Sequence, residues 1–163
     1  MEIERKFLVK DDSYKQLAYA RSEILQGYIS RSMGRTVRIR LRSYDDGKKA
    51  YLTIKGPSTD GISRYEWERE IPYDEGLELF AICQPGRIVK TRWLVRSGRH
   101  TVEVDEFHDQ NDGLVFAEIE LETPDEPYER PPFLGNEVTG DPHYYNGYIS
   151  QHPYSTWEEN VSK

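Results

Sequence analysis

Apolar and charged residues alternate along most of this chain with a period of two. In Glu2-Ile3-Glu4-Arg5-Lys6-Phe7-Leu8-Val9 a β-strand would place Ile3, Phe7 and Val9 on one face, with Arg5 among them, and Glu2, Glu4 and Lys6 on the other. The pattern repeats over residues 36–42, where Val37, Ile39 and Leu41 oppose Arg38, Arg40 and Arg42. After the hairpin signal Asp45-Asp46-Gly47-Lys48, residues 50–55 set Leu52 and Ile54 against Tyr51, Thr53 and Lys55. Residues 63–71 alternate Arg64, Glu66, Glu68 and Glu70 with Tyr65, Trp67, Arg69 and Ile71. Residues 87–96 set Lys90 and Arg92 apart from Val89, Thr91, Trp93 and Val95. Residues 100–107 oppose Glu103 and Asp105 to Val102 and Val104, and residues 114–122 oppose Glu118 and Glu120 to Ala117, Ile119 and Leu121. A further strand is expected at 24–30. Helical spacing predicts short helices at 11–20, 74–83 and 143–151, and the Pro-rich stretch from Thr123 onward reads as irregular. The expectation is mainly β (α+β): about eight antiparallel strands, closed into a barrel or tunnel, with a few small peripheral helices.

Each strand is thus charged on one side only. An open sheet would turn that side to bulk solvent; a closed one would turn it into a wet lumen. A dry lumen is excluded on energy, because an unpartnered buried ion costs several kcal/mol while a whole domain is stable by about 5–15 kcal/mol. Carboxylates gathered in a wet lumen suit hard cations such as Mg²⁺, Mn²⁺ or Ca²⁺. Clustered Arg and Lys suit a polyanion. Together they point to metal–phosphate chemistry, without identifying the phosphate compound; the solvent-facing alternative stays open on pattern alone.

Composition narrows this picture. The chain has 163 residues, 31% of them charged, with 12% aromatic residues and a net charge of −7. That balance argues against an extended nucleic-acid surface but allows a local basic pocket. A single cysteine, Cys83, excludes an intrachain disulfide and reads as a small core residue. No leader or membrane-length apolar run is apparent, so a soluble, cytoplasmic protein of one domain is expected. His100, His108, His143 and His152 lack metal-ligand spacing and read as solvated; Tyr28, Tyr51 and Trp67 read as packing or rim residues.

The ordered set of motifs resembles the CYTH superfamily, the triphosphate tunnel metalloenzymes, in its short stand-alone bacterial form. Glu2-Ile3-Glu4-Arg5-Lys6 matches the family's ExExK signature. It is followed in family order by Arg38-Ile39-Arg40, Thr53-Ile54-Lys55-Gly56, Arg64-Tyr65-Glu66-Trp67-Glu68, Lys90-Thr91-Arg92, Glu103-Val104-Asp105 and Ala117-Glu118-Ile119-Glu120-Leu121. The resemblance covers about residues 1–150 and leaves 151–163 as a tail. It implies an eight-stranded barrel holding a triphosphate-containing small molecule and one or two Mg²⁺ or Mn²⁺ ions. On the same ground Glu2, Glu4, Glu118 and Glu120, with Asp105, are expected as metal ligands. Lys6, Arg38, Arg40, Lys55, Lys90 and Arg92 are expected to bind substrate. Arg64 would either hold phosphate or neutralise the glutamates beside it, and Glu4, Glu66, Glu68 and Asp105 are the expected catalytic carboxylates. A homodimer is allowed for.

The activity implied is metal-dependent hydrolysis of the terminal phosphoanhydride of inorganic triphosphate, with nucleoside triphosphates as weaker substrates. Three alternatives share these motifs: a class IV adenylate cyclase, a thiamine triphosphatase, and a non-catalytic polyphosphate- or nucleotide-binding barrel.

Overall fold

The computed structural model describes residues 1–157; residues 158–163 of the expected tail lie outside the described residues. Strand β1 (Glu2–Val9) is followed by helix α1 (Tyr14–Leu17), β2 (Ala20–Ser30), β3 (Thr36–Tyr44), β4 (Gly47–Lys55), β5 (Ser63–Arg64), β6 (Glu66–Ile71), α2 (Tyr73–Ala81), β7 (Ile88–Ser97), β8 (His100–Phe107), β9 (Val115–Glu120), β10 (Leu134–Glu137) and α3 (Asn146–Gln151). Hydrogen bonding runs in the order β10-β1-β9-β8-β7-β2-β3-β4-β6, all antiparallel, and β5 pairs back onto β1 through Glu2↔Arg64 and Ile3↔Ser63. Because β5 and β6 are two halves of one strand interrupted at Tyr65, the sheet closes into a barrel.

The barrel has the expected class but ten strands instead of about eight. One extra strand comes from the break at Tyr65. The other is β10, which lies along β1 with Phe7 opposite Glu137. Its sequence, Leu-Gly-Asn-Glu, has no alternation to announce it. The expected helix over 11–20 shrinks to one turn, and β2 starts at Ala20 instead of residue 24. A short isolated helix nucleates poorly, and here Ala20 to Glu23 pair with Leu94 to Thr91 of β7 instead. The expected terminal helix begins at Asn146, after a separate tight turn over Pro142–Tyr144.

Two turns show why the chain reverses where it does. Tyr44 pairs with Gly47 and Ser97 with His100, so each hairpin closes with two residues between its strands. Gly98, in the second, has φ of +59°, a conformation most natural for a residue without Cβ.

Apolar side chains pack on the outside of the barrel. Ile3, Phe7, Val95, Val102, Val104 and Ile119 lie beneath Tyr14, Phe133 and Leu134. Ile39, Leu41 and Ala50 lie beneath α2. The helix seats closely there because Gly76 faces β4, where an added Cβ would come 2.4 Å from the Ala50 Cβ. Cys83 packs at the edge of this second cluster. Inward-facing positions turn apolar in one region only: Leu8, Ile88, Phe107 and Phe116 meet Tyr144 and Ile149 of the C-terminal segment. Among the described residues no helix is long and apolar enough to cross a membrane.

Candidate active site

Strand parity delivers the charged residues to one place. On β1 and β9 the cross-strand pairs Glu4↔Glu120 and Lys6↔Glu118 set carboxylates side by side, and Glu103 of β8 pairs with Glu118. On the opposite wall, Tyr28↔Arg38 and Arg38↔Thr53 carry the inward row across β2, β3 and β4, while Lys55 faces Glu66. These rows enclose a cavity of about 380 Å³, lined by Glu2, Glu4, Lys6, Arg38, Arg40, Lys55, Arg64, Glu66, Glu68, Lys90, Arg92, Glu118 and Glu120. Ile3, Ile39 and Ile119 face the outer clusters instead.

Within the cavity, the cations and carboxylates are interleaved. Lys55 Nζ lies 2.8 Å from Glu2 and 3.4 Å from Glu66. Lys6 Nζ lies 3.4 Å from Glu118 and donates to the Tyr144 carbonyl at 2.8 Å. Arg38 reaches Glu68 at 3.6 Å, and the buried Thr53 hydroxyl donates to the same carboxylate at 2.6 Å. Among the described residues Arg40 and Arg64 have no carboxylate partner. Arg40 Nε donates to Gln26 at 3.0 Å, and Arg64 donates to the carbonyls of Gly56 and Gly34.

Asp105, expected among the metal ligands and catalytic carboxylates, is absent from the cavity wall. It is 1% exposed, behind Lys90 and Arg92. Its oxygens accept from Lys90 Nζ at 2.7 Å and from Arg92 Nε and Nη2 at 2.8 and 2.9 Å. Although burial opposes ionisation, Arg92 and Lys90 hold its carboxyl far below the usual range. Alternation placed it correctly on the inward face; depth and the two cations that cover it are tertiary facts.

The remaining carboxylates divide by neighbour. Burial, then Glu118 and Glu2, push Glu4 well above the ordinary range. Burial and Glu103 raise Glu120; burial and Glu2 raise Glu66. Burial would raise Glu118 as well, but Lys6 beside it brings it down to about 2. Glu2 also ends low, since Lys55 outweighs its burial. On the basic side burial, reinforced by Arg38 and Arg92, lowers Arg40 to about 9. Like charges are therefore crowded on both walls, which favours uptake of counter-charges of each sign.

The acidic wall fits a hard divalent cation by donor chemistry: Glu2, Glu4, Glu118 and Glu120 offer only carboxylate oxygens from adjacent strands. Among the described residues no three His, Cys, Asp or Glu side chains are gathered into a metal-binding cluster. The ion pairs explain this, because Glu2 leans onto Lys55 and Glu118 onto Lys6.

Several lining residues were not anticipated. Arg42 was assigned the inward face by its alternation and donates to Ser22 at 2.8 Å. Gln26, fully buried, does not line the cavity but supports it from behind through Arg40 and Asn146, and its inward parity was equally readable. Arg31, Tyr145 and Asn146 sit in turns or at a helix start, where no period marks them. Tyr28 lines the cavity and is buried, while Trp67 lies outside beneath Arg69. No histidine lines the cavity, but His100 is not simply solvated: its largely covered side chain meets Glu126 at 2.5 Å.

A closed antiparallel barrel with rows of carboxylates and cations in its lumen defines a charged tunnel protein. The CYTH domain model matches residues 1–145, and the chain belongs to that family. It is similar to the inorganic triphosphatase of Acetivibrio thermocellus, with 44% identity over 97% of this chain and 98% of that protein. It is also similar to the inorganic triphosphatase of Nitrosomonas europaea, with 32% identity over 89% of this chain and 93% of that one. Among solved structures, that of an inorganic triphosphatase superimposes with a TM-score of 0.62 at 25% identity, covering 92% and 94% of the two chains. A Pyrococcus horikoshii protein does so with a TM-score of 0.59 at 25% identity, covering 76% and 78%.

Proposed function

We propose that this protein hydrolyses the terminal phosphoanhydride of inorganic triphosphate in a divalent-metal-dependent reaction. The observation that carries the reading is the meeting of both charge sets in one enclosed cavity, with carboxylates on β1 and β9 and cations on β3 and β7. Near full-length similarity to two inorganic triphosphatases supports the choice of substrate.

In this reading Lys6, Arg38, Arg40, Lys55, Lys90 and Arg92 bind the phosphate chain and spread its charge, and Arg64 steadies it from the β5 side. Catalysis then rests on positioning and electrostatic stabilisation. Glu2, Glu4, Glu118 and Glu120 would hold one or two Mg²⁺ or Mn²⁺ ions. When bound, such an ion neutralises phosphate charge and lowers the pKa of a water. Glu66 and Glu68 are the carboxylates proposed to orient the attacking water. For Asp105 we propose a different role from the one its motif suggests: it is a buried counter-ion that fixes Lys90 and Arg92, and it ligates no metal.

The deciding experiment incubates the purified protein with tripolyphosphate, ATP and thiamine triphosphate, with Mg²⁺ or Mn²⁺, and quantifies orthophosphate, pyrophosphate and cyclic AMP. Orthophosphate release from tripolyphosphate exceeding that from the other substrates is expected. Cyclic AMP as the main product from ATP would replace this reading with the cyclase, and binding without any product would replace it with a capture barrel.

A further inference from the structure

Arg31 lies outside every charged motif of the chain, at the start of the β2–β3 connection, just before the turn Ser32–Gly34. It nevertheless lines the same cavity, as does Tyr28. Its Nη2 donates to the Pro85 carbonyl at 3.0 Å, and its guanidinium carbon sits 6.0 Å from the Tyr28 ring centre. These contacts fix the group in place.

Its other donors have nothing to bind. Arg31 Nε and Nη1 are buried without a hydrogen-bond partner, and among the described residues no carboxylate lies within 4.0 Å of it. A guanidinium cannot shed its charge and has five donors to satisfy. Buried donors are ordinarily paired, so unpaired donors on a residue that lines a cavity point to a missing partner. Arg38 Nε, on the cross-strand partner of Tyr28, is unpaired in the same way. Three orphaned donors on two arginines, Arg31 and Arg38, therefore lie beside Tyr28 in the lining of one cavity, whose carboxylates are concentrated on β1, β6 and β9.

We infer that Arg31 is a further substrate-binding residue of the proposed triphosphate site, contacting phosphate oxygens at the end of the chain remote from the glutamates. The inference rests on the reading of the cavity as a triphosphate site. A contact at the unreactive end is made in the ground and transition states alike, so it adds affinity without changing the chemical step.

The test compares the parent protein with Arg31→Gln, Arg31→Lys and, as a reference, Arg38→Gln. Binding of tripolyphosphate is measured by calorimetry without divalent metal, then steady-state kinetics with Mg²⁺. Arg31→Gln is expected to weaken binding and raise KM by about tenfold, equivalent to about 1.4 kcal/mol, with kcat within about twofold of the parent. Arg31→Lys should recover part of the affinity. A purely structural strut to Pro85 would lower the unfolding temperature without ligand and leave binding unchanged; that result overturns the inference. Unchanged Arg31→Gln affinity alongside loss in Arg38→Gln overturns it while leaving the tunnel reading intact. Failure of the parent to bind tripolyphosphate overturns both.

Discussion

Lys90 Nζ and Asn146 Oδ1 lie 2.9 Å apart, so a lysine of the cavity wall is held by the first residue of the C-terminal helix. The same Asn146 oxygen accepts from Gln26 Nε2 at 2.9 Å, and Gln26 Oε1 accepts from Arg40 Nε at 3.0 Å. With the Lys90–Asp105 and Arg92–Asp105 bonds, this makes one buried chain joining three cavity cations. Replacing Asn146 by Ala leaves two buried donors unmatched. A stability loss of about 1–3 kcal/mol is expected in urea unfolding, with a rise in KM for tripolyphosphate; unchanged values for both would remove Asn146 from the site.

Asp105→Asn removes the carboxylate paired with buried Lys90 and leaves Arg92 only its longer contacts to Glu103 at 3.3 Å and Glu118 at 3.8 Å. Breaking a buried pair on one side costs about 3–5 kcal/mol, and saturating tripolyphosphate should recover part of it by supplying the missing negative charge. Were Asp105 a metal ligand instead, the variant would keep near-parental stability and show a higher metal requirement.

Glu4→Gln and Glu120→Gln remove acidic oxygens from sites where neighbouring carboxylates already repel. Metal-free stability should hold or rise, turnover should vanish, and tripolyphosphate binding should persist because the basic wall is intact. Kinetics across an Mg²⁺ titration check this; parental turnover at the parental metal requirement would exclude these glutamates from the metal site.

The pH dependence follows from two carboxylates with opposite shifts. Glu4 is raised above its ordinary 4.5, so its ionisation costs stability as pH rises through its folded-state value and that stability returns on acidification. Glu118 is lowered from 4.5 to about 2, so its contribution is present above 4.5 and lost as pH falls from there towards 2. These two carboxylates therefore favour metal-free stability on the acid side of neutrality and its loss below about 4.5. Urea midpoints across pH, with a chelator present, test it. A monotonic fall from neutral pH downward would contradict the Glu4 assignment.

Mg²⁺ with tripolyphosphate should raise the unfolding temperature of the parent protein, since ligands that bind only the folded state stabilise it; at a hundred times Kd the gain is about 2.7 kcal/mol. No shift at saturation would argue against an occupied cavity.

Much of this was legible because the side-chain period of a strand is two. Once Glu2 and Glu4 share a face, so does Lys6, and the closed sheet carries that choice around the ring. What escaped is whatever has no period. β10 is held by pairing with β1, not by its own pattern, and α1 yields residues to β2 because β7 offers hydrogen bonds. Asp105 alternates with its neighbours like a lumen residue, but how deeply it is covered depends on side chains from another strand. Arg31 and Asn146 reach the cavity from a turn and a helix end, where only the assembled fold gives direction.

The pairing of β1 bears on how the molecule is made. This strand carries three residues of the cavity wall, yet it bonds to no sequence neighbour; its partners are β5, β9 and β10. It leaves the ribosome before the other strands and must wait for nearly the last of them before both its edges are satisfied. Long-range pairing of this kind is slow, so ring closure on β1 is the natural late step of folding. A nascent chain ending before β9 would carry the basic wall of β3 and β7 with the acidic wall incomplete, lacking Glu118 and Glu120.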